Sequence, residues 1–283
     1  MFSSTLVLFA LSLLAFAKPV EKRAISATLL SDLTLYTKYA SGAYQTTCAQ
    51  PLGNVLVEKV SIILLSATGF IARDDTRKEI IVSFRGSFST SDFGTDAEII
   101  LIPFSSPGVS ASKSVLAHTG FLTAYNSVAS NIISTVKAQL AAHPGYTLVS
   151  TGHSLGGALA SLGGLSLKSN FPGSSVRMFT FGQPRTGNAA YASLVESIVG
   201  TSNIFRGTYG VPTLIPQAIG YRHHAVEFWN FADPPTAANV KQCAGEEDPT
   251  CSDSIPSGGI NAAHHTYFGQ GMSAHYNVNE PHY

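Results

Sequence analysis

Charge is what this chain has least of: only 12% of its 283 residues are Asp, Glu, Lys or Arg, and 17 basic side chains balance 17 acidic ones. No basic stripe exists that could track a phosphate backbone, which excludes nucleic acid as a partner. Cysteine is also scarce, at three residues. No C-x-x-C or H-x-x-x-H spacing gathers metal ligands, so no metal or organic cofactor is expected. There is no Asn-x-Ser/Thr sequon, and N-glycosylation is not expected. No Pro/Ser linker, charge run or repeat divides the chain, which favours one domain over two. The apolar run Leu6–Phe16 has the length of a signal-peptide core and is too short to span a bilayer. Ala15-Phe16-Ala17 fits a small-x-small cleavage site, and Lys22-Arg23 a second, dibasic one. The expectation is a signal peptide over 1–17, a propeptide over 18–23 and a domain over 24–283, secreted, with a retained anchor as the alternative.

What the chain does have is apolar periodicity, with 45% hydrophobic residues. Leu29, Leu33, Tyr36 and Ala40 recur on one helical face, predicting a helix from Ile25 to Tyr39. Strands are predicted over Val55–Leu65, Gly69–Arg73 and Glu79–Phe84, with a hairpin turn at Asp74-Asp75-Thr76-Arg77. A long amphipathic helix follows over Gly120–Ala142, closed by His143-Pro144-Gly145. Further on come strands at Val176–Phe181, near Asn203–Thr208 and near Ala225–Asn230, with a helix near Asn188–Val199. Strands alternating with helices imply an α/β fold: a mixed, mostly parallel central sheet covered by helices on both faces. Cys243 and Cys251 bracket a short Gly/Asp/Pro loop and are the expected disulfide, which leaves Cys48 unpaired.

The most informative stretch is Thr151-Gly-His-Ser-Leu-Gly-Gly157. The apolar run Tyr146–Ser150 precedes it and the small-residue run Ala158–Leu162 follows. That is the strand, G-x-S-x-G, helix context of a nucleophile elbow. Gly152 and Gly156 allow two backbone segments to meet where a Cβ would clash. Ser154 would then stand at a strand's carboxyl end, where the next helix aims free N–H groups and its positive dipole end. The alternative is a plain turn in which Ser154 merely caps the helix. A serine hydroxyl becomes a useful nucleophile when an imidazole takes its proton and an acid orients that imidazole. The histidines after Ser154 are His223, His224, His264, His265, His275 and His282, and spacing alone does not choose among them.

Five blocks narrow the choice: Ile81-Val-Ser-Phe-Arg-Gly-Ser87, His118-Thr-Gly-Phe121, Gly152-His-Ser-Leu-Gly-Gly157, Phe181-Gly-Gln-Pro-Arg-Thr-Gly-Asn188 and Gly220-Tyr-Arg-His223. In this order they resemble the fungal class 3 lipases, a secreted α/β-hydrolase family of triacylglycerol lipases, mono- and diacylglycerol lipases and feruloyl esterases. The resemblance implies Ser154 as nucleophile and His264 as general base, with His265 as the rival to His264. It implies Ser87 as one oxyanion donor and the Leu155 N–H as the other. Two aimed donors suit an ester's tetrahedral oxyanion, and losing one costs about 2.7–4 kcal/mol. His153 reads as a packing and hydrogen-bonding residue. Ser87–Asp96 lies where the family carries its lid, with Phe88 and Phe93 as its apolar residues, and Phe93, Leu155, Val211, Leu214 and Ile215 are the expected groove lining. The implied partner is a neutral lipid ester at an oil–water interface.

One expected residue is missing. The family places its acid just after the strand that ends near Thr208, yet this chain reads Arg206-Gly-Thr-Tyr-Gly-Val-Pro212, without a carboxylate. Seven acids lie between Ser154 and His264, and none aligns; Asp233 is the nearest substitute. Loss of a triad acid lowers kcat about 10⁴-fold, so an impaired lipase is expected. The competing readings are a feruloyl or other carbohydrate-ester esterase and a non-catalytic binder of lipid interfaces. The family's N- to C-terminal disulfide is also absent, since Gly271–Tyr283 contains no cysteine.

Overall fold

The computed structural model describes residues 24–45, 48–65, 67–86, 99–208, 215–255 and 262–273. The expected leader and propeptide, Ser87, Phe88, Phe93, Val211 and Leu214 therefore lie outside the described residues.

The main sheet has eight strands: β1 Val55–Ile62, β2 Ala67–Asp74, β3 Glu79–Phe84, β6 Thr147–His153, β7 Val176–Phe181, β9 Ile204–Thr208, β11 Glu227–Asn230 and β12 Val240–Gln242. They lie side by side in that order. β3, β6, β7, β9 and β11 run parallel, and β1, β2 and β12 are antiparallel to their neighbours. A smaller sheet joins β4 Leu101–Pro103, β5 Leu116–His118, β8 Gly187–Asn188 and β10 Tyr221–Arg222. A hairpin of β13 Thr266–Tyr267 and β14 Gln270–Gly271 comes last.

Among the described residues, four α-helices cover the main sheet: α1 Ala27–Gly42, α2 Thr119–Ala142, α3 Leu155–Asn170 and α4 Ala189–Val199. The crossovers containing α2, α3 and α4 all step in one direction along the sheet. With constant handedness, such steps stack their helices on one face. The core divides accordingly. Ile80, Val82, Leu148 and Met178 pack with α2, α3 and α4, whereas Ile81, Val149, Phe179 and Phe181 pack with α1 and the β13–β14 hairpin. Alternate residues of one strand serve opposite faces.

Sequence expectations hold for α1, β3, α2, β7 and α4 to within a few residues. The strand expected over Val55–Leu65 stops at Ile62, and Ile63–Leu65 turns as a 3₁₀ segment. The disulfide forms between Cys243 and Cys251, and Cys48 is free, as expected.

Candidate active site

The elbow begins with close backbone contact. A Cβ on Gly152 would lie 2.1 Å from the Gly156 oxygen, and one on Gly156 would lie 2.3 Å from the Phe84 oxygen. Only glycine fits at either position. Between them Ser154 adopts φ 59°, ψ −129°, a conformation that costs a non-glycine residue about 1–3 kcal/mol. The turn is held by the Ser154 N–H donating to the Phe181 oxygen at 2.8 Å and the Gly157 N–H donating to the Ser154 oxygen at 2.8 Å. The capping alternative fails, because the Ser154 side chain makes no cap bond to α3. Its Oγ lies 2.9 Å from Nε2 of His264 instead. Leu155 opens α3, where backbone N–H groups have no carbonyl partner within the helix.

His264 arrives from the other end of the chain, on a 3₁₀ turn over Ala262–His265 just before β13. It is buried, and burial, then the nearby His265, lower its pKa from 6.5 to about 3. Its backbone is tied to the elbow. The His264 carbonyl accepts from His153 Nε2 at 2.8 Å, while His153 Nδ1 meets the Tyr44 hydroxyl at 2.7 Å. A carbonyl can only accept, so His153 carries its proton on Nε2 and Nδ1 accepts from Tyr44. Burial holds His153 well below its ordinary pKa, which keeps that neutral tautomer in place. The Tyr44 oxygen in turn accepts from the Gly86 N–H at 3.1 Å. One polarised chain thus runs from the end of β3 through α1's C-terminal turn and β6 to the imidazole's backbone.

Beyond geometry, the chain resembles known proteins over nearly all its length. The family pattern described as lipase (class 3) matches residues 81–218. A secreted mono- and diacylglycerol lipase 1 of Fusarium solani is 34% identical over 93% of this chain and 87% of its own length. The chain belongs to the class 3 lipase family. A secreted alkaline triacylglycerol lipase of Penicillium cyclopium is 31% identical over 89% of this chain and 88% of its own. The solved triacylglycerol lipase of Penicillium expansum superposes with a TM-score of 0.80 at 29% identity, covering 88% of this chain and 96% of that one. The protein is a secreted carboxylic-ester hydrolase with the α/β-hydrolase fold. No described helix is long and apolar enough to cross a membrane.

Against that family, the surroundings of His264 Nδ1 are unusual. Nδ1 lies 3.0 Å from the hydroxyl of Tyr267, and among the described residues no carboxylate bonds the ring. Five of the seven carboxylates between Ser154 and His264 bond to other groups. Glu196 accepts from the Ala225 N–H at 2.6 Å, and Asp248 from the Ala244 and Thr250 N–H groups at 2.8 Å each. Glu247 pairs with Arg185 at 2.7 Å, and Asp253 with the same arginine at 3.4 Å. Glu227 accepts from Thr208 Oγ1 and lies 3.9 Å from Arg206. Asp233 sits in the loop after β11 and is not among the partners of His264; the Nδ1 face it would need is taken by Tyr267. The lone described group of metal-type ligands, Glu227 with Cys243 and Cys251, has both sulfurs committed to the disulfide.

Of the other sequence candidates, Leu155 and Ile215 pack in the core with α2, α3 and α4. His265 is exposed and its ring centre is 6.0 Å from that of His264, so it neighbours His264, whose Nε2 is the ring nitrogen bonded to Ser154 Oγ. Sequence reasoning did not assign Tyr44, Gly86, Gly182 or Tyr267. Tyr267 was legible only as the residue three places after His264, with nothing to show that its hydroxyl turns back onto the ring.

Proposed function

We propose that the chain hydrolyses carboxylic esters of neutral glycerides, with Ser154 as nucleophile and His264 as general base. The observation that carries the reading is the 2.9 Å contact between Ser154 Oγ and His264 Nε2 on a strained elbow. Ser154 Oγ attacks the ester carbonyl carbon as its proton passes to Nε2. The resulting oxyanion is met by the Leu155 N–H at the dipole end of α3, and Ser87 is the proposed second donor. Gly86, which precedes Ser87, stands against the elbow: a Cβ there would lie 2.9 Å from that of Ser154. Collapse returns the proton from Nε2 to the leaving alcohol, and water repeats the sequence on the acyl-enzyme.

A glyceride substrate is favoured by the relatives, which are mono-, di- and triacylglycerol lipases, and by a chain with no basic patch for a charged ester. We place the site's action at an oil–water interface, with Phe88 and Phe93 on the lid. Maturation after Lys22-Arg23 would begin the protein at Ala24, which bridges Lys241 of β12. Because the segment after Thr208 has no acid, we propose a kcat well below that of a complete triad.

A fluorophosphonate probe tests the core of this reading. Ser154 should be labelled in the mature protein, and Ser154→Ala should lose both label and hydrolysis of p-nitrophenyl esters. His264→Ala should abolish turnover while His265→Ala lowers it modestly. Labelling that survives in Ser154→Ala would remove the assignment, and the reverse ranking of the histidines would move the base by one residue.

A further inference from the structure

The Nδ1 side of His264 is enclosed, and what encloses it is a tyrosine. Tyr267 is fully buried in β13, its register fixed by Thr266↔Gly271 and Tyr267↔Gln270. That hairpin is fastened to α1 by Ser41 Oγ donating to the Gly271 oxygen at 2.7 Å, and closed by the Met272 N–H donating to the His265 oxygen at 2.8 Å. Gly182 backs the pair at φ +56°. A Cβ there would lie 2.2 Å from the Tyr267 hydroxyl and 2.9 Å from His264 Cε1, so the tyrosine and the imidazole fill the space a side chain would take.

We propose that Tyr267 is the positioning residue for His264, its phenol oxygen taking the Nδ1 place where the family keeps a carboxylate and holding the ring toward Ser154 without adding charge. This rests on the reading of Ser154 and His264 as nucleophile and base. For Nε2 to accept the serine proton, Nδ1 must carry the ring's own proton and donate it. A carboxylate enforces that direction, because it can only accept. A phenol oxygen accepts less strongly than a carboxylate, but by accepting from Nδ1–H it favours the tautomer that leaves Nε2 open to the serine proton. Burial raises the Tyr267 hydroxyl well above its ordinary pKa, so it remains a neutral dipole. The imidazolium formed during attack is therefore steadied by a dipole where a complete triad offers an anion.

Tyr267→Phe keeps the packed ring and removes only the oxygen, so it isolates the role. For p-nitrophenyl butyrate, kcat should fall about tenfold while KM changes less than about twofold, the effect of one lost hydrogen bond to a reacting group. ¹⁵N spectra should show His264 mainly protonated on Nδ1 in the wild-type protein and in mixed tautomers in Tyr267→Phe. Identical tautomer populations in the two would overturn the proposal. The same substitution is then made in a chain carrying a three-residue Asp-containing insertion between Tyr209 and Gly210. With a carboxylate restored, Tyr267→Phe should cost less than about twofold; an equal loss in both backgrounds marks Tyr267 as structural and overturns the proposal. If that insertion does not fold, the spectra decide alone. The readings fail separately: an unlabelled Ser154 sinks the hydrolase assignment, whereas His264 tautomers report on Tyr267 in an inactive chain too.

Discussion

The two ends of the central sheet treat buried charge in opposite ways. At the amino end of β3, Glu79 is nearly inaccessible, yet Arg177 pairs with it at 2.6 Å and the Tyr36 hydroxyl donates to it at 2.8 Å. Arg77 adds a contact at 3.3 Å, and Asp32 bridges both arginines at 2.9 Å. At the carboxyl end, Tyr44, His153, His264, Tyr267 and Ser154 meet as a stack of buried groups. Among the described residues no carboxylate is hydrogen-bonded to His153, His264 or Ser154; the nearby charge is the buried Arg85, which acts on Tyr44. One end offsets desolvation with counter-ions, and the other avoids it by staying neutral. Neutrality suits the resting protein. On the proposed mechanism, catalysis requires that this same end hold an imidazolium for the lifetime of a tetrahedral intermediate, which is where the lack of an anion would be felt.

The comparison can be broken first at the charged end. Glu79→Ala removes the anion and leaves Arg177 partly buried, with only Asp32 to pair with. Stability should fall by about 3 kcal/mol, the low end for breaking a buried pair because one partner survives. Urea unfolding of the two proteins measures it. A loss below about 1 kcal/mol, the scale of an exposed pair, would show that the network does not offset the burial of Glu79.

The second break works in reverse, by giving the neutral end a charge. The Asp-containing insertion between Tyr209 and Gly210 should raise kcat about 10²-fold or more, close to 2.7 kcal/mol of barrier, while KM changes little. The gain falls in kcat because the new anion acts chiefly on the imidazolium of the transition state. Steady-state hydrolysis of p-nitrophenyl butyrate tests it. If the unmodified chain already turns over at an ordinary rate of about 10 s⁻¹ or faster, impairment is wrong and another group completes the site.

The elbow and most of the fold are legible in the sequence, whereas the charge network at Glu79 is not, and the division has physical causes. The elbow could be read because its chemistry is local: glycines two residues either side of Ser154 are dictated by clashes within one turn. The parallel strands and α2 could be read because their apolar periodicity extends over many residues. β4, β5, β8 and β10 are two or three residues long, too short to show a period, and they form only because distant segments such as Ala117 and Gly187 pair. His264 was found through family resemblance, since 110 residues separate it from Ser154. The absent acid could be read in Arg206–Pro212, but its replacement could not. A tyrosine after a histidine carries no sequence mark of which way its hydroxyl points, and Tyr44 is joined to His153 across 109 residues.

The smallest expected effect lies in where activity fails in acid. His264 must be neutral to act as base, so kcat/KM should fall as pH drops through its pKa, lowered by burial to about 3 from 6.5. Ser154, His153, His265 and Tyr267 face or neighbour the ring, and none supplies an anion that would raise that value. The acid limb should therefore sit far below the ordinary histidine range. Stability sets a separate limit with the same sign. His118, lowered to about 4, and His224, lowered to about 3, are also buried neutral, so the unfolded chain binds more protons below pH 6.5 and stability declines as pH falls. Short assays on protein whose near-ultraviolet dichroism is still native separate the two. Within that window, His265→Ala removes the nearby histidine that lowers His264, and should move the limb slightly upward. The Asp insertion should move it further in the same direction, because an anion beside the ring favours its protonated form. An acid limb already near 6.5 in the unmodified protein would mean that His264 has an anionic partner, and the contrast between the two ends of the sheet would fail.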